Sequence, residues 1–121
     1  MARKTALKRI ILEMGMGNDL HGSDYTKAAL RAVQDALHHS SMSLIGSLGL
    51  DIHKMQVDVT IGVQEPSQVD VERVRASLPY GVVTVKVVKG GLDVVGAKDT
   101  AVIANAGIVV SLDVPQYGDA A

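Results

Sequence analysis

The chain of 121 residues contains no cysteine, no tryptophan and no phenylalanine. The lack of cysteine excludes disulfides and thiolate chemistry and allows the cytoplasm, where we expect the protein to lie. Since three tyrosines are the only aromatic residues, the core must consist of aliphatic side chains and methionine. Such a core suits β-branched strands packed on alanine-faced helices, which favours a two-layer α+β sandwich.

Charge of the two signs is nearly balanced, because 12 Lys and Arg residues oppose 13 Asp and Glu residues. A dedicated nucleic-acid binder is therefore not expected. No apolar stretch is long enough to span a bilayer, so a membrane is not predicted as a partner either. The length fits one domain, residues 1–121, with frayed ends at 1–6 and 114–121.

Hydrophobic periodicity predicts the element order β-α-β-α-β-β, followed by one further strand. The predicted strands are Leu7–Met16, Met55–Gln64, Val82–Lys89, Leu92–Val95 and Ala101–Leu112. The predicted helices are Asp24–His39 and a shorter one from Ser67 or Asp70 to Leu78. Between them, residues 42–51 are interpreted as a loop or short irregular helix. Gly90-Gly91 is typical of a two-residue hairpin turn.

Each predicted strand has two faces, and two helices can cover only one face of the sheet. In the first strand the even positions from Ile10 to Met16 are apolar, so this side is expected to face the core. The uncovered face of the later strands is polar and carries Gln56, Asp58, Thr60, Thr84 and Lys86. This face either meets solvent or lies in a symmetric interface. Ile11 and Val88 are assigned to the same face and favour a homo-oligomer.

The densest polar cluster lies in Met14–Lys27, interpreted as a glycine-rich loop between the first strand and the first helix. Ser23 is the predicted N-cap, and Asp24 adds negative charge to the first turn. Ser23 and Lys27 would share a face of that helix, where a desolvated lysine could activate the serine for amide hydrolysis. The alternative is a capping serine beside a solvated lysine.

His21, together with Asp19 and Asp24, could act as an acid or base or could bind a metal. A hydrogen bond that stabilises the loop is the other interpretation. The loop glycines match neither a dinucleotide fingerprint nor a P-loop, and no cofactor or metal is assigned. A small carboxylate or phosphate could instead bind the amides of Gly22–Asp24. The ligand-binding candidates are Gly15, Gly17, Asn18, Asp19, Gly22, Lys86 and Asn105, the last expected to be a buried amide.

The run MGMGNDLHGSDYTKAALRAVQDALHHSSM, followed by VDVERVRASLPYGVVTVKVVKGGLDV, resembles a small bacterial family of conserved hypothetical proteins with a Lin locus-tag name. The resemblance covers roughly Leu7 to Leu112 and implies relatives of unknown function. The element order also resembles the chorismate-mutase-like fold of reactive-intermediate deaminases and ring-opening amidohydrolase domains. That likeness implies a site between subunits or domains, but a fold does not fix a function.

Two hypotheses follow for the function. The first is a small-molecule enzyme of hydrolase or lyase type, acting on a small polar substrate such as a cyclic amide. Its site would lie at Gly15–Lys27 near a subunit interface, with His21, Ser23, Asp24 and Lys27 as the catalytic candidates. The second is a non-catalytic ligand-binding or structural oligomer in which the same loop forms a subunit contact.

Overall fold

A computed structural model describes residues 5–38, 49 and 51–115. The described residues form a five-stranded sheet and two α-helices, which confirms the predicted α+β class. In chain order the elements are β1 (Thr5–Asp19), α1 (Tyr25–His38), β2 (Gln56–Val63), α2 (Val71–Ala76), β3 (Val82–Lys89), β4 (Leu92–Val95) and β5 (Thr100–Pro115). Short 3-10 turns at Ile52–Lys54 and Pro66–Gln68 precede β2 and α2.

Some predictions fall outside these ranges. The interpretation of residues 42–51 lies almost entirely outside the described part of the chain, as does the predicted last helical residue, His39. Of the ends predicted to fray, residues 5–6 belong to β1 and residues 114–115 belong to β5. The described helices include none that is long and apolar enough to cross a membrane.

The long strand β5 organises the sheet, whose order is β1-β5-β2-β3. It runs antiparallel to β1 and to β2, whereas β2 and β3 are parallel. Beyond the end of β2, β4 takes over as the antiparallel neighbour of β5, with Leu92 opposite Ile103.

The link between β3 and β4 is a crossover and not the predicted hairpin turn. It passes over the end of β2, where the Gly90 amide donates to the Val63 carbonyl at 2.9 Å. Gly91 has a φ of +62°, which glycine adopts without strain. The hairpin prediction is wrong because β3 finds its partner in β2 and β4 finds its partner in β5.

The core lies between one face of the sheet and the helices. As predicted, α1 packs through small and branched side chains, with Ala28, Ala29, Ala32, Val33 and Ala36 fully buried. The sheet contributes alternate residues of β2 and β5, and α2 adds Val74. The sheet residues are Val57, Val59, Ile61, Val63, Val102, Ala104, Ala106, Ile108 and Val110.

Strand β1 turns toward the core the face opposite to the one predicted. Gly15 and Gly17 lie within the strand, directly beneath α1. A Cβ on either glycine would come within 2.3 Å of the Ala32 backbone, so only glycine permits this approach. Ile11, which has the same parity, packs against the core instead of lying on the uncovered face.

The even positions of β1 point away from the helices. Leu12, Met14 and Met16 are 54%, 73% and 56% exposed. The prediction that they line the core is wrong, because alternation shows that a strand has two unlike faces without showing which one a helix covers. We call the side of the sheet on which no described helix packs the open face.

Candidate functional site

The junction between β1 and α1 is organised by the carboxylate of Asp19, which is only 5% exposed. Its Oδ2 accepts hydrogen bonds from the amides of Asp24 at 2.9 Å and Gly22 at 3.1 Å. Lys27 Nζ and Arg31 Nη1 lie 3.9 and 4.0 Å from its Oδ1. The Asp24 amide above all, helped by Lys27, the Gly22 amide and Arg31, holds the pKa of Asp19 below its ordinary value despite burial.

This arrangement bears on the predicted anion site at Gly22–Asp24. Two of the amides expected to hold a carboxylate or phosphate already donate to the protein's own Asp19. The Asp19 carboxylate therefore occupies the position that the sequence suggested for the carboxylate or phosphate of a ligand. The loop itself is also shorter than predicted, because β1 continues through Gly15, Gly17 and Asn18 as far as Asp19.

Asp24, not Ser23, caps α1. Its Oδ1 accepts from the Lys27 amide at 3.0 Å, and its carbonyl accepts from the Ala28 amide at 3.1 Å. Ser23 precedes the helix with a φ of +50°, and its hydroxyl donates to the Thr100 carbonyl at 3.2 Å. The predicted N-cap is wrong by one residue, because both side chains can cap and backbone conformation chooses between them.

Consequently, Ser23 and Lys27 do not share a helical face. The serine hydroxyl bonds to the start of β5, whereas the lysine amine lies beside Asp19. The Ser-Lys arrangement proposed for amide hydrolysis requires these two groups to meet. In the structure each has a different partner.

His21 contacts neither of the two aspartates considered from the sequence. Its Nδ1 lies 3.2 Å from Oδ2 of Asp99, in the turn between β4 and β5, and its side chain is 83% exposed. A shallow depression of about 380 Å³ adjoins this pair and is also lined by Leu20, Lys98 and Ala101. Asp99 was missed because 78 positions separate it from His21 and no local pattern connects them.

No group of three or more His, Asp or Glu side chains within residues 5–38 and 51–115 could hold a metal ion. His21 and Asp99 form a pair, which is too few ligands for a protein zinc or calcium site.

Lys86 and Asn105 lie on the open face, away from α1. Asn105 is exposed, which corrects the prediction of a buried amide. In the strand register it lies between Met16 and Gly62, and Lys86 lies beside Thr60 in the neighbouring row. The predicted ligand set is therefore divided. Lys86 and Asn105 share the open face, while Asp19 and Gly22 belong to the packed junction.

The open face contains a second depression, of about 390 Å³, which we call the sheet depression. It is centred on β5 and β2 and bordered by β1 and the β3–β4 crossover. Its lining includes Met14, Thr60, Val88, Lys89, Asn105 and Gly107. Asn105 and Gly15, which also lines the depression, were candidates from the sequence. Met14, Thr60, Val88 and Gly107 become neighbours only through strand pairing.

A second contact that the sequence does not reveal joins α1 to β4. The Tyr25 hydroxyl donates to Asp93 Oδ2 at 2.5 Å. This hydrogen bond and burial, together with the nearby negative charge of Asp93 and Glu65, raise the pKa of Tyr25 to about 12. The other oxygen of Asp93 is buried and has no hydrogen-bond partner among the described residues. Tyr25 therefore ties the start of α1 to the edge of the sheet.

These features define a two-layer α+β protein with one packed sheet face and one open face. Residues 9–110 match the family model described as Conserved hypothetical protein (Lin0512_fam). The chain belongs to this family, as its sequence predicted.

Among solved structures, the chain is similar to a crystal structure of an FtsZ-like protein of unknown function from Nostoc punctiforme PCC 73102. The two share 37% sequence identity with a TM-score of 0.80, over 92% of this chain and 100% of the other. No curated protein matches the chain.

Proposed function

We propose that the protein is a structural homo-oligomer and that a second copy of the chain covers the open face. The observation that carries this proposal is the exposed row of Leu12, Met14 and Met16 along β1. A contiguous apolar patch on a folded domain marks an interaction surface more often than a solvent-facing one. Two of these three residues belong to the Met14–Lys27 segment, in accord with its predicted role as a subunit contact.

The open face is self-complementary, as a symmetric interface requires. Its β1 half is apolar, whereas β2 and β3 present Asp58, Thr60, Thr84 and Lys86. A two-fold axis perpendicular to the strands places the apolar half of one copy on the apolar half of the other. The same operation brings Asp58 toward Lys86 of the second copy, because these two residues lie one row apart on adjacent strands.

The size of the open face suits such an interface. Four strands about 4.8 Å apart and about eight residues long give a plan area of roughly 500 Å². Projecting side chains make the accessible area larger than the plan area, toward the roughly 800 Å² per partner of a standard interface. The open face therefore approaches the size of a standard interface.

The hydrolase or lyase hypothesis receives no comparable support. Ser23, Asp24 and Lys27 each make a separate contact that stabilises the junction. His21 lies apart from them on the surface. These contacts agree better with a structural role for the segment than with a nucleophile and its base.

The proposal is tested by replacing Leu12 with glutamate and measuring mass by analytical ultracentrifugation. We expect the wild-type chain to sediment at a multiple of 12.7 kDa and Leu12→Glu to sediment as a folded monomer. Burying an unpaired carboxylate in an apolar interface costs several kcal/mol or more, roughly a thousandfold in the association constant. Circular dichroism shows whether the variant keeps its fold.

Val95→Glu is the matched control. Val95 is 82% exposed, and it shares its side of β4 with Asp93, away from the open face. This variant should keep the wild-type mass. A monomeric wild-type chain, or an equal loss of assembly in both variants, would refute the proposed interface.

A further inference from the structure

We propose that the sheet depression binds a small planar organic carboxylate, held by residues of a single copy of the chain. This inference goes beyond self-association, since no residue of a second copy is needed. Because the proposed second copy would cover the depression, we expect the carboxylate and the second copy to compete for the open face. The support comes from the shape of the depression, from its polar side chains and from one glycine whose position the fold does not explain.

The shape suits a flat ring. In the strand register Met14, Gly107, Thr60 and Lys86 form one row across β1, β5, β2 and β3. The Met14 and Thr60 side chains flank a gap of about 9–10 Å, two strand spacings, whose floor at Gly107 has no side chain. An aromatic ring can lie flat on this floor, with the polarizable Met14 thioether against its edge.

The polar groups gather on one side of this floor. Thr60 and Asn105 line the depression, and Lys86 lies next to Thr60 on the same face. Within the described ranges, Lys86 has no carboxylate within ion-pair distance, and the Asn105 amide has no protein partner. One cation with a hydroxyl and an amide beside it can bind a carboxylate through charge-assisted hydrogen bonds.

Gly107 supplies the independent argument for a site. It lies in the middle of the central strand, where glycine weakens a sheet and often marks the close approach of a ligand. Unlike Gly15 and Gly17, it has no atom within 4 Å of the position that a Cβ would take, and its φ is not positive. Neither packing nor backbone conformation requires glycine here, whereas an occupant of the depression would.

The test uses benzoate as the probe, followed by two-dimensional amide NMR of the full chain. We expect benzoate to shift the amides of Gly62, Gly90 and Gly107. Benzamide, which lacks the charge, and cyclohexanecarboxylate, which lacks the flat ring, should each bind at least about tenfold more weakly. Equal shifts with all three compounds would contradict the predicted specificity.

The decisive variant is Gly107→Leu, made in a Leu12→Gln background, which weakens assembly without placing a carboxylate beside the depression. The leucine fills the depression without a backbone clash, and we expect benzoate binding to be lost while the remaining amide spectrum stays folded. Lys86→Gln should weaken benzoate binding roughly tenfold. Lys98→Gln, an equal change of charge in the exposed β4–β5 turn, should leave it unchanged.

The outcomes separate this inference from the proposed oligomer. A monomeric wild-type chain that still binds benzoate would refute the proposed oligomer and support the carboxylate site in the sheet depression. A folded Leu12→Gln variant that no longer binds benzoate, although the wild-type chain does, would overturn a site built by one chain. Binding that survives Gly107→Leu would overturn it as well.

Discussion

The two faces of β1 show that hydrophobicity alone does not select the buried side of a strand. The exposed face carries Leu12, Met14 and Met16, whereas the face beneath α1 carries Gly15 and Gly17. The more apolar face is open because the helix packs where its backbone can approach most closely. Glycines facing alanines permit that approach, and larger side chains would prevent it. On this edge strand, small residues mark the covered face better than large apolar ones.

The largest effect should come from filling the packed face. In Gly17→Val the new side chain would meet the Ala32 backbone, which cannot yield as a flexible side chain can. We expect a loss of about 3 kcal/mol or more in the free energy of unfolding. Urea denaturation monitored by circular dichroism at the helix band measures it.

Gly107→Val is the matched control for that experiment, since the Cβ position of Gly107 is open. This variant should unfold at or above the wild-type urea concentration. If both valine variants lost the same free energy of unfolding, the expected difference between the packed and the open face would be refuted.

A smaller effect should follow from cutting the tie between the packed helix and β4. Tyr25→Phe removes the only hydrogen-bond donor to Asp93 found in the described part of the chain. We expect a loss of about 1–3 kcal/mol in the free energy of unfolding, because a partly buried carboxylate remains without a partner.

Replacing the exposed Met14 by leucine on the open face should change the free energy of unfolding by less than about 0.5 kcal/mol.

The hydrogen bond between Tyr25 and Asp93 predicts that the free energy of unfolding falls at high pH. The pKa of Tyr25 is raised from 10.0 to about 12 in the folded chain, so above pH 10 the folded state holds a proton that the unfolded state has lost. The stabilisation is complete below the unfolded value and disappears as the pH rises through about 12. Tyr25→Phe should abolish this part of the alkaline loss. An identical alkaline profile for wild type and variant would contradict it.

A change of opposite sign should follow from filling the open face. Gly107→Ala replaces a strand glycine without steric conflict, and we expect the free energy of unfolding to rise by roughly 0.5–1 kcal/mol. The Leu12→Glu background again removes any contribution from assembly. A clear destabilisation would mean that the backbone of β5 needs glycine at this position for a reason other than the space above it.

Much of the fold could be predicted from local pattern. The bounds of β3 and β4 coincide with the prediction, and β2 differs from it by one residue at each end. Their alternation of β-branched and polar residues is visible over a few positions. The end of β1 was missed, because Gly15 and Gly17 interrupt the side-chain alternation without interrupting the strand.

Little of the candidate site could be predicted in the same way. The importance of Asp19 and Asp24 at the junction could be inferred from their types and positions, but their roles could not. The partners of His21 and Tyr25 lie 78 and 68 positions away, so only the paths of β4 and β5 bring them together. Asn105 was assigned to the interior because its sequence neighbours are apolar, although its side chain lies on the exposed face of β5.

By itself, the sequence determined the α+β class, the order of the elements and an aliphatic core, because these depend on periodicity and composition over short stretches. The tertiary structure decided which face of β1 is buried and which strand pairs with β4. It also decided that the Asp19 carboxylate accepts hydrogen bonds from the amides of its own loop. These outcomes depend on how closely two backbones can approach and on which distant residues then become neighbours.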